Sequence, residues 1–164
     1  MEGNNATIRS LTLAGGDLFG INSLDLNHVY LQSGIFYGPS DMIVHNTWTN
    51  NRNVFSPASS TVEFPNAPTI SGSTVFNNLS IVSNNTATFN AGNTFTVNGT
   101  LLLNSASSPN TLLLRSTQSG EQWHINPTGP RTVQNVDVQD SYNDNSTRIE
   151  CNNNCVNSGN NIAW

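Results

Sequence analysis

The sequence predicts an all-β chain, a β-solenoid with little or no helix, and three observations carry that expectation. Apolar residues recur in pairs one position apart, which is the period of a strand. The intervals between pairs are dense in residues that turn a chain, above all the 28 asparagines among 164 residues. No window sustains apolar spacing of three and four over several turns, so no amphipathic helix is expected.

Taken in order, the pairs are Leu11/Leu13, Leu24/Leu26, Val62/Phe64, Leu79/Ile81, Phe95/Val97, Leu101/Leu103, Leu112/Leu114, Trp123/Ile125 and Val136/Val138. In a strand each pair places both side chains on one face. Asn77-Asn78, Asn84-Asn85, Asn98-Gly99, Ser119-Gly120, Asn126-Pro127 and Gly129-Pro130 are the expected turns. Asn and Gly accept the left-handed backbone that tight turns need, and Pro presets φ. Strands of two to five residues with such frequent turns fit either an antiparallel sandwich or a solenoid. Their shortness favours the solenoid. So does the asparagine, because stacked coils let turn amides hydrogen-bond from one layer to the next. At roughly 20 residues per coil the chain would hold about 7 or 8 coils.

One stretch resembles a known repeat. Trp48-Thr49-Asn50-Asn51, Val54-Phe55, Ser60 through Phe64, Thr69-Ile70-Ser71-Gly72 and Val75 through Ile81 are similar to a repeat of very large secreted bacterial surface proteins. The ending, Arg131 through Val138 and Ser158 through Trp164, is similar to the way such segments close. The resemblance implies a right-handed parallel β-helix of the filamentous-haemagglutinin and autotransporter-stalk kind, outside the cell. Residues 1–47 match the repeat poorly. The chain is read as a single domain over 1–164, with 1–47 as an N-terminal cap or assembly segment.

Composition narrows the function. Only 9% of residues are charged, against about a quarter in an ordinary domain, so solubility rests on amides and hydroxyls. Five arginines and no lysine, with net charge −5, leave no basic stripe for nucleic acid or an acidic membrane surface. No apolar run approaches the ~20 residues that span a bilayer, and the start MEGNNATIRS has no signal-peptide core. The expectation is a mature or excised piece with no membrane insertion. Without lysine, lysine–asparagine isopeptide bonds cannot form within the chain.

The candidate chemical residues are few. Cys151 and Cys155, the only cysteines, predict a small disulfide loop, because two thiols cannot complete a zinc set alone. Asp137, Asp140, Asp144 and Glu150 concentrate the acid, and Asp140 and Asp144 are the calcium candidates. The run lacks EF-hand order, so a solvated loop partly neutralised by Arg148 is the preferred reading. A glycoside hydrolase would need two carboxylates across the scissile bond, with Asp137 facing outward between Val136 and Val138 and Asp140 joining it. Arg131 and Arg148 would be the cations of a lyase. His28, His45 and His124 fall in no nucleophile motif and read as surface or turn residues. Trp48, Trp123, Trp164, Tyr30, Tyr37 and Tyr142 read as packing groups, with sugar stacking as the alternative. In Thr86/Thr88 and Thr94/Thr96 period two puts both hydroxyls of each pair on one face, the kind of flat rank that ice-binding solenoids use, but outward Thr as ordinary strand surface is the preferred reading. Five N-glycosylation sequons begin at Asn5, Asn78, Asn84, Asn98 and Asn145.

The sequence therefore points to a non-catalytic structural or adhesive unit of an extracellular bacterial surface protein or filament. It would use no cofactor and would associate with itself head to tail or with neighbouring domains. The alternative is a carbohydrate-binding module or degenerate polysaccharide-active β-helix, with glycans as partners. No amphipathic helix is visible that could close either end of the stack.

Overall fold

A computed structural model of the chain describes residues 8–164, with side chains from Ser10 onward. Among them there is no helix, and parallel strands stack into a β-solenoid of about eight turns. Backbone pairing lies along the axis of the stack, so each coil supplies the hydrogen-bond partners of the next. Side-chain bonds between adjacent layers join residues as little as 16 and as much as 31 apart, and a few reach across two layers, up to 50 apart.

Each full coil crosses three faces. On the first, β2 (Ser23–Tyr37) begins above β3 (Asp41–Asn50), and the series continues through β5 (Thr61–Phe64), β8 (Asn78–Val82), β11 (Leu101–Asn104) and β14 (Arg131–Val133). On the second, later residues of β2 and β3 stack over β6 (Thr69–Ser71), β9 (Thr86–Phe89), β12 (Leu112–Ser116), β15 (Val136–Val138) and β17 (Val156–Asn157). On the third, Phe36 and Tyr37 pair with β4 (Phe55–Ser56), and β7 (Thr74–Phe76), β10 (Thr94–Val97), β13 (Trp123–Pro127) and β16 (Ser141–Asn143) follow below. The edge strand β1 (Ile8–Leu18) lies on β2, with register shifts between Leu13 and Asp17.

The first three strands are longer than the spacing of apolar pairs predicts. β2 runs 15 residues and pairs on all three faces, while β3 turns from the first face to the second without breaking. The stretch from Leu24 to Tyr37 has only the isolated Asn27 and Gly34 to mark corners, with no Asn-Asn, Asn-Gly or Gly-Pro cluster, so the backbone bends there while its ladder continues. A second departure is Asn126-Pro127, expected as a turn, which ends β13 instead. Pro127 sits at the last strand position, opposite Val97, where a missing N–H breaks little of the ladder.

In-register stacking aligns the interior into columns. Leu24, Met42, Val62, Leu79 and Leu101 follow one another on the first face, and Val29, Trp48, Ile70 and Phe89 on the second. The pairs read from the sequence all point inward; only Leu11 and Leu24 are less than fully buried. Aromatic rings join the faces across the interior. Trp48 meets Phe55 edge-on at 4.9 Å between centroids, and Phe89 lies flat on Trp123 at 4.0 Å. The buried indole of Trp48 needs an acceptor, and its N–H donates to Thr74 Oγ1 at 3.1 Å. Asn50 donates to the same oxygen at 3.2 Å and accepts from the Val54 amide at 3.0 Å, which anchors the corner after β3.

Asparagine does at the corners what its abundance suggests. Asn135 donates to Asn104 at 3.0 Å, and Asn154 donates to Asn135 at 3.3 Å, making an amide ladder across three coils. Asn135 and Asn154 both adopt positive φ. Gly72 has φ of 77°, and any Cβ there would overlap the Asn50 carbonyl in the coil above. Gly92, at φ 70°, faces open space.

These two glycines separate steric stacking from backbone preference. Gly92→Ala should carry only the left-handed penalty, roughly 1–2 kcal/mol. Gly72→Ala should lower the urea midpoint much further or prevent folding. Thr74→Val, which strips the acceptor from two buried donors, should cost about 1–3 kcal/mol in the same titration.

Candidate functional site

The last coil departs from the pattern of the others, and a hollow lies there. Where a further rank of aliphatic side chains would stand, the final twenty residues bring amides and a disulfide. Cys155 and Asn157 fall beneath the columns of Val136 and Val138, and Cys151 and Cys155 are bonded with their Cα atoms 6.0 Å apart. The backbone of the preceding coil would otherwise end in unpaired donors and acceptors, which are costly when enclosed.

Amide side chains fill that role because each offers one acceptor and two donors. Asn152 accepts from the Val133 amide through Oδ1 at 2.9 Å, while its backbone N–H donates to the Val133 carbonyl at 2.7 Å. Asn161 accepts from the Ser141 amide and hydroxyl, each at 3.1 Å, and donates to the Val138 carbonyl at 2.7 Å. Buried Asn143 donates to the carbonyls of Thr147 and Ala163. The last described coil is thus capped by side-chain amides, with no helix among the described residues.

Between cap and last aliphatic rank is a cavity of about 330 Å³. Val133, Val136, Val138, Ile149, Trp164 and the disulfide form its walls, with Arg148, Glu150, Asn157 and Asn161 also lining it. Trp164 packs edge-on against Trp123 at 5.9 Å, and its buried indole N–H has no acceptor. The hollow is at the small end of ligand-sized pockets and could hold an apolar group bearing one hydrogen-bond acceptor.

The other candidate residues are dispersed over the flanks. Asp137 points outward between buried Val136 and Val138, but it forms an ion pair with Arg115 at 3.0 Å and accepts from Ser158 Oγ at 2.6 Å. Its cation is thus Arg115, from the coil above. Arg148 lines the hollow, and Arg131 donates to the Thr147 carbonyl at 3.0 Å. The signal for Arg115 was the coil length, which brings residues about 22 apart into contact. Asp140 is buried at a corner with φ of 56°, accepting from the Gly120 amide and the Asn160 side chain. Asp144 lies at the other end of β16 on His124, so about four strand positions, roughly 13 Å, separate the two calcium candidates. Among the described residues no three His, Cys, Asp or Glu side chains gather around a metal-sized site.

The histidines tie coils together. His45 meets Asp25 at 2.8 Å and Asn66 at 3.3 Å, and His124 meets Asp144 at 2.8 Å. His28 stacks on Tyr30 and His124 on Tyr142. Trp48 and Trp123 are core residues, and Tyr142 stands outside as a single aromatic rather than one of a row. The hydroxyl pairs divide: Thr86 and Thr88 lie on the second face, Thr94 and Thr96 on the third, so they form no common plane. The sequon at Asn5 lies outside the described residues.

No family model, no curated protein and no solved structure matches the chain.

Nearest-neighbour stacking confines the effect of damage to the cap. Asn161→Ala should cost about 1–3 kcal/mol locally and raise amide exchange at Val138 and Ser141, leaving Phe64 and Leu79 protected. Reducing the disulfide should loosen the same residues more mildly, because the loop that it closes is short.

Proposed function

We propose that this chain is a non-catalytic structural or adhesive unit of an extracellular bacterial surface protein or filament. The observation that carries the reading is the axial ladder, which runs from β1 to β17 on the second face, from β1 to β14 and the Gln134–Asn153 bridge on the first, and from β7 to the Tyr142–Ile162 bridge on the third. Such a ladder makes a rod in which every coil stiffens its neighbours. At strand spacing, eight layers give a rod about 40 Å long. Its flanks present mostly short hydroxyl and amide side chains, suited to spacing or contact.

Two further observations support the surface-protein reading. The residues that resemble the secreted repeat occupy positions that build coils: Trp48, Phe55, Val62, Phe64, Ile70, Phe76, Leu79 and Ile81 fill the interior, while Asn50 and Gly72 set corners. The Cys151–Cys155 bond suits an oxidising compartment. End-to-end association draws on apolar groups at the first coil, where Phe19 is 70% exposed against Tyr37, and on the hollow at the last. Non-closing contacts of that kind would propagate a filament.

Electron microscopy of the purified chain under non-reducing conditions, over a concentration series, tests this reading. Filaments with an axial repeat near one rod length are the expected result. Discrete rods at every concentration would remove self-assembly and leave a module of a longer protein.

Glycan binding is the second reading, favoured by the Tyr142 ring stacked on His124 at 5.1 Å with Asn126, Asp144 and Asn145 nearby. If it holds, Tyr142→Ala should abolish retention on a glycan column without changing the melting temperature.

A further inference from the structure

The four described sequons are equivalent in sequence, but the fold treats their asparagines differently. Asn78 donates to Thr61 Oγ1 at 3.1 Å and accepts from the Thr100 amide at 2.8 Å. Asn84 donates to Ser107 Oγ at 3.0 Å and accepts from its amide at 3.0 Å. Asn145 donates to Asn126 at 3.2 Å and accepts from the Thr147 amide at 2.9 Å. In each, the carboxamide nitrogen that would carry a sugar is already a donor between coils. Each of these nitrogens holds one of its two hydrogens in the ladder, so a sugar could replace only the other and would crowd the neighbouring coil, even at Asn84, which is itself exposed.

Asn98 is the exception. It is exposed on the corner after β10, and its carboxamide makes no hydrogen bond, while its backbone is held by the Phe76 carbonyl at 3.0 Å. The next two sequon positions are also set: the Gly99 amide donates to Asn77 at 2.7 Å, and Thr100 is exposed. A Cβ at residue 99 would overlap the Asn78 side chain, so glycine lets this corner pack closely on the coil above, leaving the Asn98 carboxamide unengaged.

We propose that Asn98, in Asn98-Gly99-Thr100, is the acceptor for an N-linked glycan on the folded rod, and that Asn78, Asn84 and Asn145 serve the ladder instead. The donor is a glycosyl phosphate, carried on a nucleotide or a polyprenyl chain and used by a sequon-directed transferase. Asn98 Nδ2 attacks the anomeric carbon as the C–O bond to phosphate breaks. The phosphate leaves with that electron pair, and Nδ2 gives one proton to the transferase's base. The sugar would project sideways from a corner, clear of both ends of the stack.

The test incubates the folded, full-length chain with a soluble sequon-specific N-glycosyltransferase and its nucleotide sugar, beside a urea-unfolded and diluted control, and maps the modified peptides. The expected result is occupancy at Asn98 at least tenfold above Asn78, Asn84 and Asn145 in the folded chain, with the four converging in the control. Asn98→Gln should remove the folded-state modification and leave the melting temperature unchanged. Equal occupancy of Asn84 or Asn145 in the folded chain would overturn the proposal, as would an unmodified Asn98.

Discussion

Parallel backbone pairing between successive coils is the constraint on which the other features depend. Once Met42 is opposite Val62 and Val62 opposite Leu79, the inward or outward direction of every neighbour on that face is fixed, because a one-residue slip would turn apolar side chains to water. Variation in chain length is therefore pushed to the corners. Residues 105–111 and 117–122 leave the stack between strands, yet Leu101 still meets Arg131 in register below. The interior columns continue beneath these excursions, and the aromatic contacts of Trp48 with Phe64 and Phe55, and of Phe89 with Trp123, bind the three faces across the middle.

The last described coil is bonded to the stack in a way that the interior coils are not. Asn143, Asn152 and Asn161 place side-chain oxygens and nitrogens on backbone groups that strand pairing satisfies elsewhere. The same side-chain type that bridges interior corners through Asn104, Asn135 and Asn154 thus also closes the structure. The exchange of aliphatic groups for amides leaves the hollow beside Trp164, since Asn157 and Asn161 bond to each other and to the backbone rather than filling that volume.

Strand periodicity was readable wherever apolar pairs were isolated by Asn or Gly, as at Leu79/Ile81 or Leu101/Leu103. It failed where strands bend without a turn signal: β2 and β3 carry His, Asn and Gln among their apolar residues and looked unlike the repeat. Partners in space were harder to read. Irregular coils, with contacts between neighbouring layers spanning 16 to 31 residues, conceal that Arg115 belongs with Asp137 and His124 with Asp144. Asp140 read as part of a solvated acidic loop, with calcium as the alternative, whereas its position at a left-handed corner with two donors makes it a buried brace. The disulfide loop was legible because its two cysteines are near neighbours in sequence.

Uneven coils have a mechanical meaning. The first and last strands lie at opposite ends of the stack, so tension applied between them peels layers in sequence rather than shearing all of them at once. Each layer released would lengthen the chain by its own contour. A 17-residue layer yields about 60 Å and a 31-residue layer about 105 Å. A pulled rod would therefore extend in steps of unequal size, and their order would spell out the lengths of its coils.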